Sequence, residues 1–296
     1  MLAFDLLVNG LIYGCFYALM AVGLAMIFGV LKIVNFAHGE FFMVGAYTYI
    51  LIALKLGVPP WVALPCAALA GAMLGWLVER LLMRPLYQGY ASWGLMKDEY
   101  AVVVTFGLSL LLINLVDKIV GPYSFRGPAL IEVSRFALGP IMLTGQKAIA
   151  CVVSVLLMIG LALFIKRSVW GKQIQAVAQN RLGASLAGID ATRTTSLIFV
   201  ISGLLAALSG ALLAPLVNPS PDIGAFPAVK SYVIVVLGGM GSIWGAMLAA
   251  LILGVSEAFF SVYMSYDYRD AFGLIIVVLV LLFRPQGLFG EKGRQV

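Results

Sequence analysis

Charge is what this sequence has least of. Only 11% of its 296 residues are Asp, Glu, Lys or Arg, where a soluble globular domain carries about a quarter. With a mean hydropathy of +1.06, a soluble fold is excluded. Histidine occurs once, as His38, which excludes a multi-histidine metal centre. The three cysteines, Cys15, Cys66 and Cys151, lie inside apolar runs at spacings that match no zinc or redox motif. They read as small buried hydrophobes. The phosphate-cradling pattern G-x-x-x-x-G-K-[ST] does not occur, so this chain is not expected to hydrolyse a nucleotide. Polar–apolar alternation, the mark of a transmembrane β-barrel, is missing as well. The N-terminus lacks a basic flank and carries Asp5, so its apolar stretch is expected to stay as a span and not to be a cleavable signal.

What remains is a succession of continuous apolar runs in a chain that is 62% hydrophobic. They predict an all-α, polytopic membrane helix bundle, a single domain over 1–296, with about eight or nine crossings at roughly 20 residues each, broken helices included. Small residues recur at i, i+4, i+8 as Gly10-Gly14-Ala18, Ala67-Gly71-Gly75, Gly203-Ala207-Ala211 and Gly241-Gly245-Ala249. Such stripes let helix backbones approach closely in lipid, so the bundle is expected to be tight. The net charge of +6 belongs to the ends of spans and not to a nucleic-acid surface. Placing the 32–40 turn, 80–99, 166–193 and 284–296 on the cytoplasmic side gathers twelve of the nineteen Lys and Arg there, as the positive-inside rule asks. The loop 121–145, with Pro122, Pro128, Pro140, Arg126, Glu132 and Arg135, then faces the other side. An inside C-terminus with an outside N-terminus needs an odd number of crossings. Either 231–262 crosses twice, bent at its glycines with a short first limb, or one segment is re-entrant and the N-terminus lies inside.

Two interruptions stand out. Residues 32–41 read K-I-V-N-F-A-H-G-E-F, and 238–242 read G-G-M-G-S. A polar cluster at bilayer depth costs about 2.5–3.5 kcal/mol per charged centre, and irregular backbone is tolerated there only where protein buries it or a watery cavity adjoins it. Breaks in the two halves of a transporter point to a site between structural repeats. Asn35, His38 and Glu40 are therefore candidates to flank a translocation path, opposed by Gly238, Gly239 and Gly241, with Glu257, which interrupts an apolar helix, as a further candidate. The structural alternative is that Asn35 caps a helix starting near Phe36 while His38 and Glu40 tie segments together. An intramembrane enzyme is disfavoured: in a helix His38 and Glu40 point about 200° apart, and no serine or cysteine completes a nucleophilic set. No catalytic residue, metal or cofactor is expected.

Several stretches resemble a known family. Gly10-Leu11-Ile12-Tyr13-Gly14, Tyr17-Ala18-Leu19, Gly23-Leu24, and Asn35-Phe36-Ala37-His38-Gly39-Glu40 before Gly45-Ala46-Tyr47 are similar to the N-terminal signature of branched-chain amino acid ABC permeases, of the LivH type. Leu237-Gly238-Gly239-Met240-Gly241-Ser242 and the ending Arg284-Pro285-Gln286-Gly287-Leu288-Phe289-Gly290 resemble the same family. The resemblance covers essentially the whole chain. It implies a multi-pass permease in the bacterial inner membrane, paired with a second permease subunit (LivM-like, or a second copy). It also implies two cytoplasmic ATP-binding subunits and a periplasmic substrate-binding protein. Related permeases carry leucine, isoleucine and valine, but also urea, short amides and organic acids. A stand-alone channel or proton-coupled carrier is the remaining alternative.

In such importers a cytoplasmic coupling helix follows an E-A-A-x-x-x-G pattern. The nearest fit here is Leu182-Gly183-Ala184 with Gly188, and the glutamate is missing. The polar stretch 166–193 is expected to form one or two short surface helices that dock an ATPase. Ile174, Val177, Leu182, Leu186 and Ile189 would fill its groove, Arg181 would add charge, and Ala184 and Gly188 would allow close approach. A free amphipathic helix lying on the lipid surface is the plain alternative.

Overall fold

A computed structural model describes residues 2–88, 97–131, 136–138, 141–264 and 268–290. Glu132, Arg135 and Pro140 lie outside the described residues, as do 89–96 and the last six positions. The architecture is all-helical apart from a short antiparallel hairpin, β1 (Phe136–Leu138) and β2 (Ile141–Leu143), inside the 121–145 stretch.

The bundle is built around α1 (Leu2–Leu31), which is apolar on every side and is buried at most positions from Ile12 to Val30. A helix with no polar face can be covered all round without cost. Around it stand α2 (His38–Lys55), α3 (Pro60–Val78) and α5 (Lys97–Val120), then α6 (Gly145–Arg167), α9 (Ala191–Leu213), α10 (Ala225–Gly238), α11 (Ile243–Tyr263) and α12 (Arg269–Phe283). One π turn (Glu79–Met83) and the short α4 (Arg84–Gln88) extend α3. The polar stretch forms two short helices, α7 (Val169–Gln179) and α8 (Arg181–Leu186), as its spacing predicts. Ser168, Asn180 and Asp190 cap α7, α8 and α9 through side-chain oxygens, which fixes their starts.

Among the described residues six helices are long and apolar enough to cross a membrane, and α10 and the apolar part of α12 are shorter. With α2 they alternate in direction. Gly10 and Gly14 lie against Val255 and Leu251 of α11, so these two helices are antiparallel. A Cβ at Gly10 would fall 2.6 Å from the Val255 Cα, and one at Gly14 would fall 2.9 Å from the Leu251 Cα. The stripes Gly71-Gly75 of α3 and Gly203-Ala207 of α9 meet each other. The predicted small-residue packing is therefore the real contact surface. The stripe Gly241-Gly245-Ala249 works differently: Gly241 abuts Gly29 and Gly245 abuts Gly238, both at a helix end.

The run 231–262 does divide at its glycines into two antiparallel helices, α10 and α11, and α10 reaches back to Ala225, 14 residues in all. That length spans only about 21 Å at 1.5 Å per residue, short of a hydrocarbon core of about 30 Å. The reason is that α10 begins inside the bundle, after the irregular link 214–224. The outer faces of α5, α6 and α12 remain apolar and exposed, for example Val103, Phe106, Leu156 and Leu282, as surfaces facing lipid or another subunit must be.

Candidate functional site

The segment after α1 does not leave the bundle. Lys32 turns with φ +59°, and the chain then runs back alongside α1 in irregular form until α2 begins at His38. Nε2 of His38 lies 2.9 Å from the Met20 carbonyl oxygen, about three helical turns short of the end of α1. Each exposed backbone group in such a stretch must find a partner. The Asn35 Oδ1 accepts from the Ala37 N–H at 3.2 Å, and the Asn35 carbonyl accepts from the His38 N–H at 3.1 Å. That carbonyl also accepts from the Tyr232 hydroxyl of α10 at 2.5 Å. The Phe36 N–H donates to Thr105 Oγ1 of α5 at 3.1 Å. Asn35 thus closes the turn before the helix and does not cap a helix starting at Phe36; α2 starts two residues later.

Asn35, His38 and Glu40 are all buried, but they do not converge. His38 faces α1. Glu40 faces α5, where Ser109 Oγ donates to its Oε1 at 2.6 Å. The divergence expected of positions i and i+2 is realised, and it removes the geometry that acid–base catalysis needs. Among the described residues, Asn35 Nδ2, His38 Nδ1 and Glu40 Oε2 have no hydrogen-bond partner.

What opposes this cluster is the start of α10. Gly39 and Gly224 touch backbone to backbone, and a Cβ on Gly224 would lie 3.0 Å from Glu40 Oε2. Two helix N-termini, those of α2 and α10, therefore meet inside the bundle with the Glu40 carboxylate beside them and Asp222 in the turn that opens α10, and carboxylates suit positive helix ends. The sequence expectation placed Gly238, Gly239 and Gly241 opposite the cluster, and the structure corrects this. Those glycines close the α10–α11 turn at the end of the bundle, with φ of +98° at Gly239 and +91° at Gly241. The C-terminal segment seals them: the Leu288 N–H donates to the Leu237 carbonyl at 2.8 Å, and the Phe289 N–H to the Gly238 carbonyl at 3.2 Å. The helix break that matters is the Pro-rich link ending at Gly224. Its prolines mark it as irregular in the sequence, but its depth is a tertiary fact.

Glu257 is not an isolated carboxylate. Its Oε1 pairs with Lys230 Nζ, both side chains being buried, and Tyr17 OH donates to its Oε2 at 3.4 Å. The rings of Phe226 and Tyr17 stand 4.9 and 5.1 Å from the ammonium, a favourable setting for a cation out of water. Lys230 escapes notice when the apolar run is taken to begin at 231.

Glu79 escapes notice too, because it looks like an ordinary polar span end. It is fully buried. Ser196 Oγ donates to its Oε2 at 2.6 Å, the Tyr87 hydroxyl donates to its Oε1, and Arg84 lies 3.6 Å away. In an α-helix residue i+5 points away from i; the π turn over 79–83 brings Arg84 round to Glu79. Arg181 of α8 stacks over the Tyr87 ring at 4.4 Å, joining this network to the polar loop.

The coupling residues divide by burial. Ile174, Val177 and Ala184 are buried within this chain, so they anchor α7 and α8 to the bundle and do not reach into a partner's groove. The groove-filling expected of Ile174 and Val177 and the close approach expected at Ala184 are corrected, because the apolar face of an amphipathic helix is used once and here the bundle takes it. Ile189 is half-buried. Leu182 and Leu186 remain 73% and 83% exposed, and Gly188 turns with φ +82° in open space.

With this geometry in view, the chain can be compared with known proteins. The family model described as "Branched-chain amino acid transport system / permease component" matches residues 6–281. The chain belongs to this family. It is 34% identical to the high-affinity branched-chain amino acid transport system permease protein LivH of Escherichia coli, over 96% of this chain and 94% of LivH. It is 36% identical to the permease protein BraD of Pseudomonas aeruginosa, over 96% and 95%. It is also 28% identical to the E. coli permease protein LivM, over 92% of this chain and 67% of LivM. No solved structure matches the chain. The family assignment agrees with the bundle: this permease is a multi-pass membrane protein and a transport component, not an enzyme.

Proposed function

We propose that this permease is one of two membrane subunits of an ATP-driven importer for branched-chain, aliphatic amino acids in the bacterial inner membrane. Its partner would be a LivM-like subunit or a second copy. Two cytoplasmic ATP-binding subunits would dock on 166–193, and a periplasmic binding protein on the side of 121–145. The observation that carries this reading is the meeting of the α2 and α10 starts beside buried Asn35, His38 and Glu40, in a chain whose relatives are named as branched-chain amino acid permeases. Half-helices that begin inside a membrane place polar groups and helix ends at the substrate's level. Reconstituting the complete assembly in liposomes and comparing uptake of labelled leucine with labelled urea tests it. Urea uptake without leucine uptake would reassign the substrate.

In this reading Glu40 contacts the passing substrate, whereas His38, bonded to the α1 backbone, positions α2. Glu40→Gln keeps the Ser109 contact but loses the charge. It is expected to lower leucine uptake about tenfold, the worth of one charge-assisted hydrogen bond, with the complex assembled normally. His38→Ala is expected instead to lower the melting temperature and the yield of complex. Equal uptake by Glu40→Gln and the wild type would remove Glu40 from the path.

The ATPase contact is assigned to the exposed tips of α8. Leu182 and Leu186 would enter a groove on the partner, and Arg181, stacked on Tyr87, would carry the motion to Glu79 and α3. Leu182→Ser with Leu186→Ser is expected to leave the folded bundle intact, since neither side chain is buried, and to uncouple ATP hydrolysis from uptake. Coupled transport at the normal rate in this double variant would place the dock elsewhere.

A further inference from the structure

The helix α5 presents an apolar outer face, with Val103, Phe106, Leu111 and Ile119 exposed. On its inner face Thr105 is buried and Ser109 is 9% exposed, and the polar bonds of these two residues outside α5 go to one place. Thr105 Oγ1 accepts from the Phe36 N–H at 3.1 Å while donating to the Ala101 carbonyl of its own helix at 2.7 Å. Ser109 Oγ donates to Glu40 Oε1 at 2.6 Å. One hydroxyl is thus an acceptor for a backbone donor in the irregular segment, and the other is a donor to the carboxylate at the start of α2. A carboxylate accepts and an ammonium donates, so these are the roles that the two ends of an amino acid would play.

We infer that Phe36 N–H and Glu40 form a subsite for the carboxylate and the ammonium of a zwitterionic amino acid, and that Thr105 and Ser109 of α5 occupy it when no substrate is present. The spacing fits. Thr105 and Ser109 are four residues apart, about 6 Å along the helix. An acid and an amine on one carbon, each with a hydrogen bond of about 2.8 Å, bridge such a gap. Beyond it Met43 of α2 and Leu112 of α5 are buried together with the ring of Tyr47, whose hydroxyl donates to the Pro219 carbonyl, leaving a surface suited to an aliphatic side chain. Substrate passage then requires α5 to move off the segment 35–40, and the substrate replaces the bonds that α5 gives up. Neither donor nor acceptor is left bare in a water-poor site, which would be costly. The unpaired Glu40 Oε2 and Asn35 Nδ2 offer the incoming groups further bonds. This inference rests on the proposed passage of substrate beside residues 35–40.

The test is a reversible lock. The 3.1 Å contact between Phe36 N and Thr105 Oγ1 holds the two Cα atoms within about 7 Å, in reach of a disulfide. Phe36→Cys with Thr105→Cys, in the complete transporter with Cys15, Cys66 and Cys151 replaced by alanine, is expected to lose leucine uptake on oxidation and to regain it on reduction. The reduced protein is its own control for folding. Transport at the reduced rate by the oxidised, cross-linked complex would overturn the inference. A second measurement decides if the bond does not form. A thiol at Ser109→Cys should react about tenfold faster during turnover than at rest, because the population with α5 displaced rises. It should also prefer a cationic thiosulfonate to an anionic one, a preference that Glu40→Gln lowers. A turnover-independent rate, or no preference for the cationic reagent, overturns it. Normal uptake by Glu40→Gln while the lock still blocks transport would instead reject the pathway reading and leave α5 as a moving element without a substrate role.

Discussion

Lys230→Met is expected to destabilise the permease by about 3–5 kcal/mol, because it takes from Glu257 its buried counter-charge. Both members of the pair are buried between α10 and α11, and a tyrosine hydroxyl such as that of Tyr17 does not replace an ammonium. Glu257→Leu should cost a similar amount by taking the carboxylate from the buried lysine, which sits beside the rings of Tyr17 and Phe226. The double variant Lys230→Met/Glu257→Leu should recover most of the loss, since an apolar pair of similar volume is often as stable as a buried ion pair. Melting of the detergent-purified protein, followed by size-exclusion fluorescence, reads all three. A double variant as unstable as the singles would show that the charges act separately and not as a pair. The pair ties α10, a helix too short to span alone, to its longer neighbour. Its loss should therefore be felt first at the α10 start, beside Glu40.

Gly224→Val is expected to prevent the mature complex from forming. A Cβ at 224 runs into the backbone of Gly39, and Gly39 in turn runs into Gly224 and Ala228. Overpacking of a side chain against side chains costs about 1–3 kcal/mol. Here the obstacle is backbone at the starts of two helices, which cannot rotate away, so the cost should reach or exceed the top of that range. Gly107→Val is the matched control: position 107 lies in α5 with nothing within 4 Å of an added Cβ, and it should assemble and transport normally. Recovery of folded protein from each membrane preparation gives the answer. If Gly224→Val assembles as well as Gly107→Val, the two helix starts are not in close contact.

Much of this molecule is legible in its sequence because the bilayer allows few solutions. Low charge and continuous apolar runs leave only a helix bundle, and stripes such as Gly71-Gly75 and Gly203-Ala207 predict close helix contacts that do form. The capped, amphipathic stretch 166–193 becomes α7 and α8 for reasons local to its own residues. The polar residues of 35–40 also announce a break, since no ordinary span would hold them.

What the sequence by itself determined is therefore the class of fold, the helices and the position of the break in α1–α2. Those follow from hydropathy and local backbone preference. Tertiary structure alone decided which groups face one another. It put Gly224 and not Gly238 opposite Glu40, gave Glu257 to Lys230, wound Glu79 to Arg84 through a π turn, and turned Ile174 and Val177 inward while leaving Leu182 and Leu186 exposed. The physical reason is common to these cases. Hydropathy and periodicity fix how far each residue lies from water on average, but depth in the bundle and choice of partner depend on how irregular segments such as 32–37 and 214–224 fold back. Those paths are set by the packing of distant helices and not by the residues that travel them.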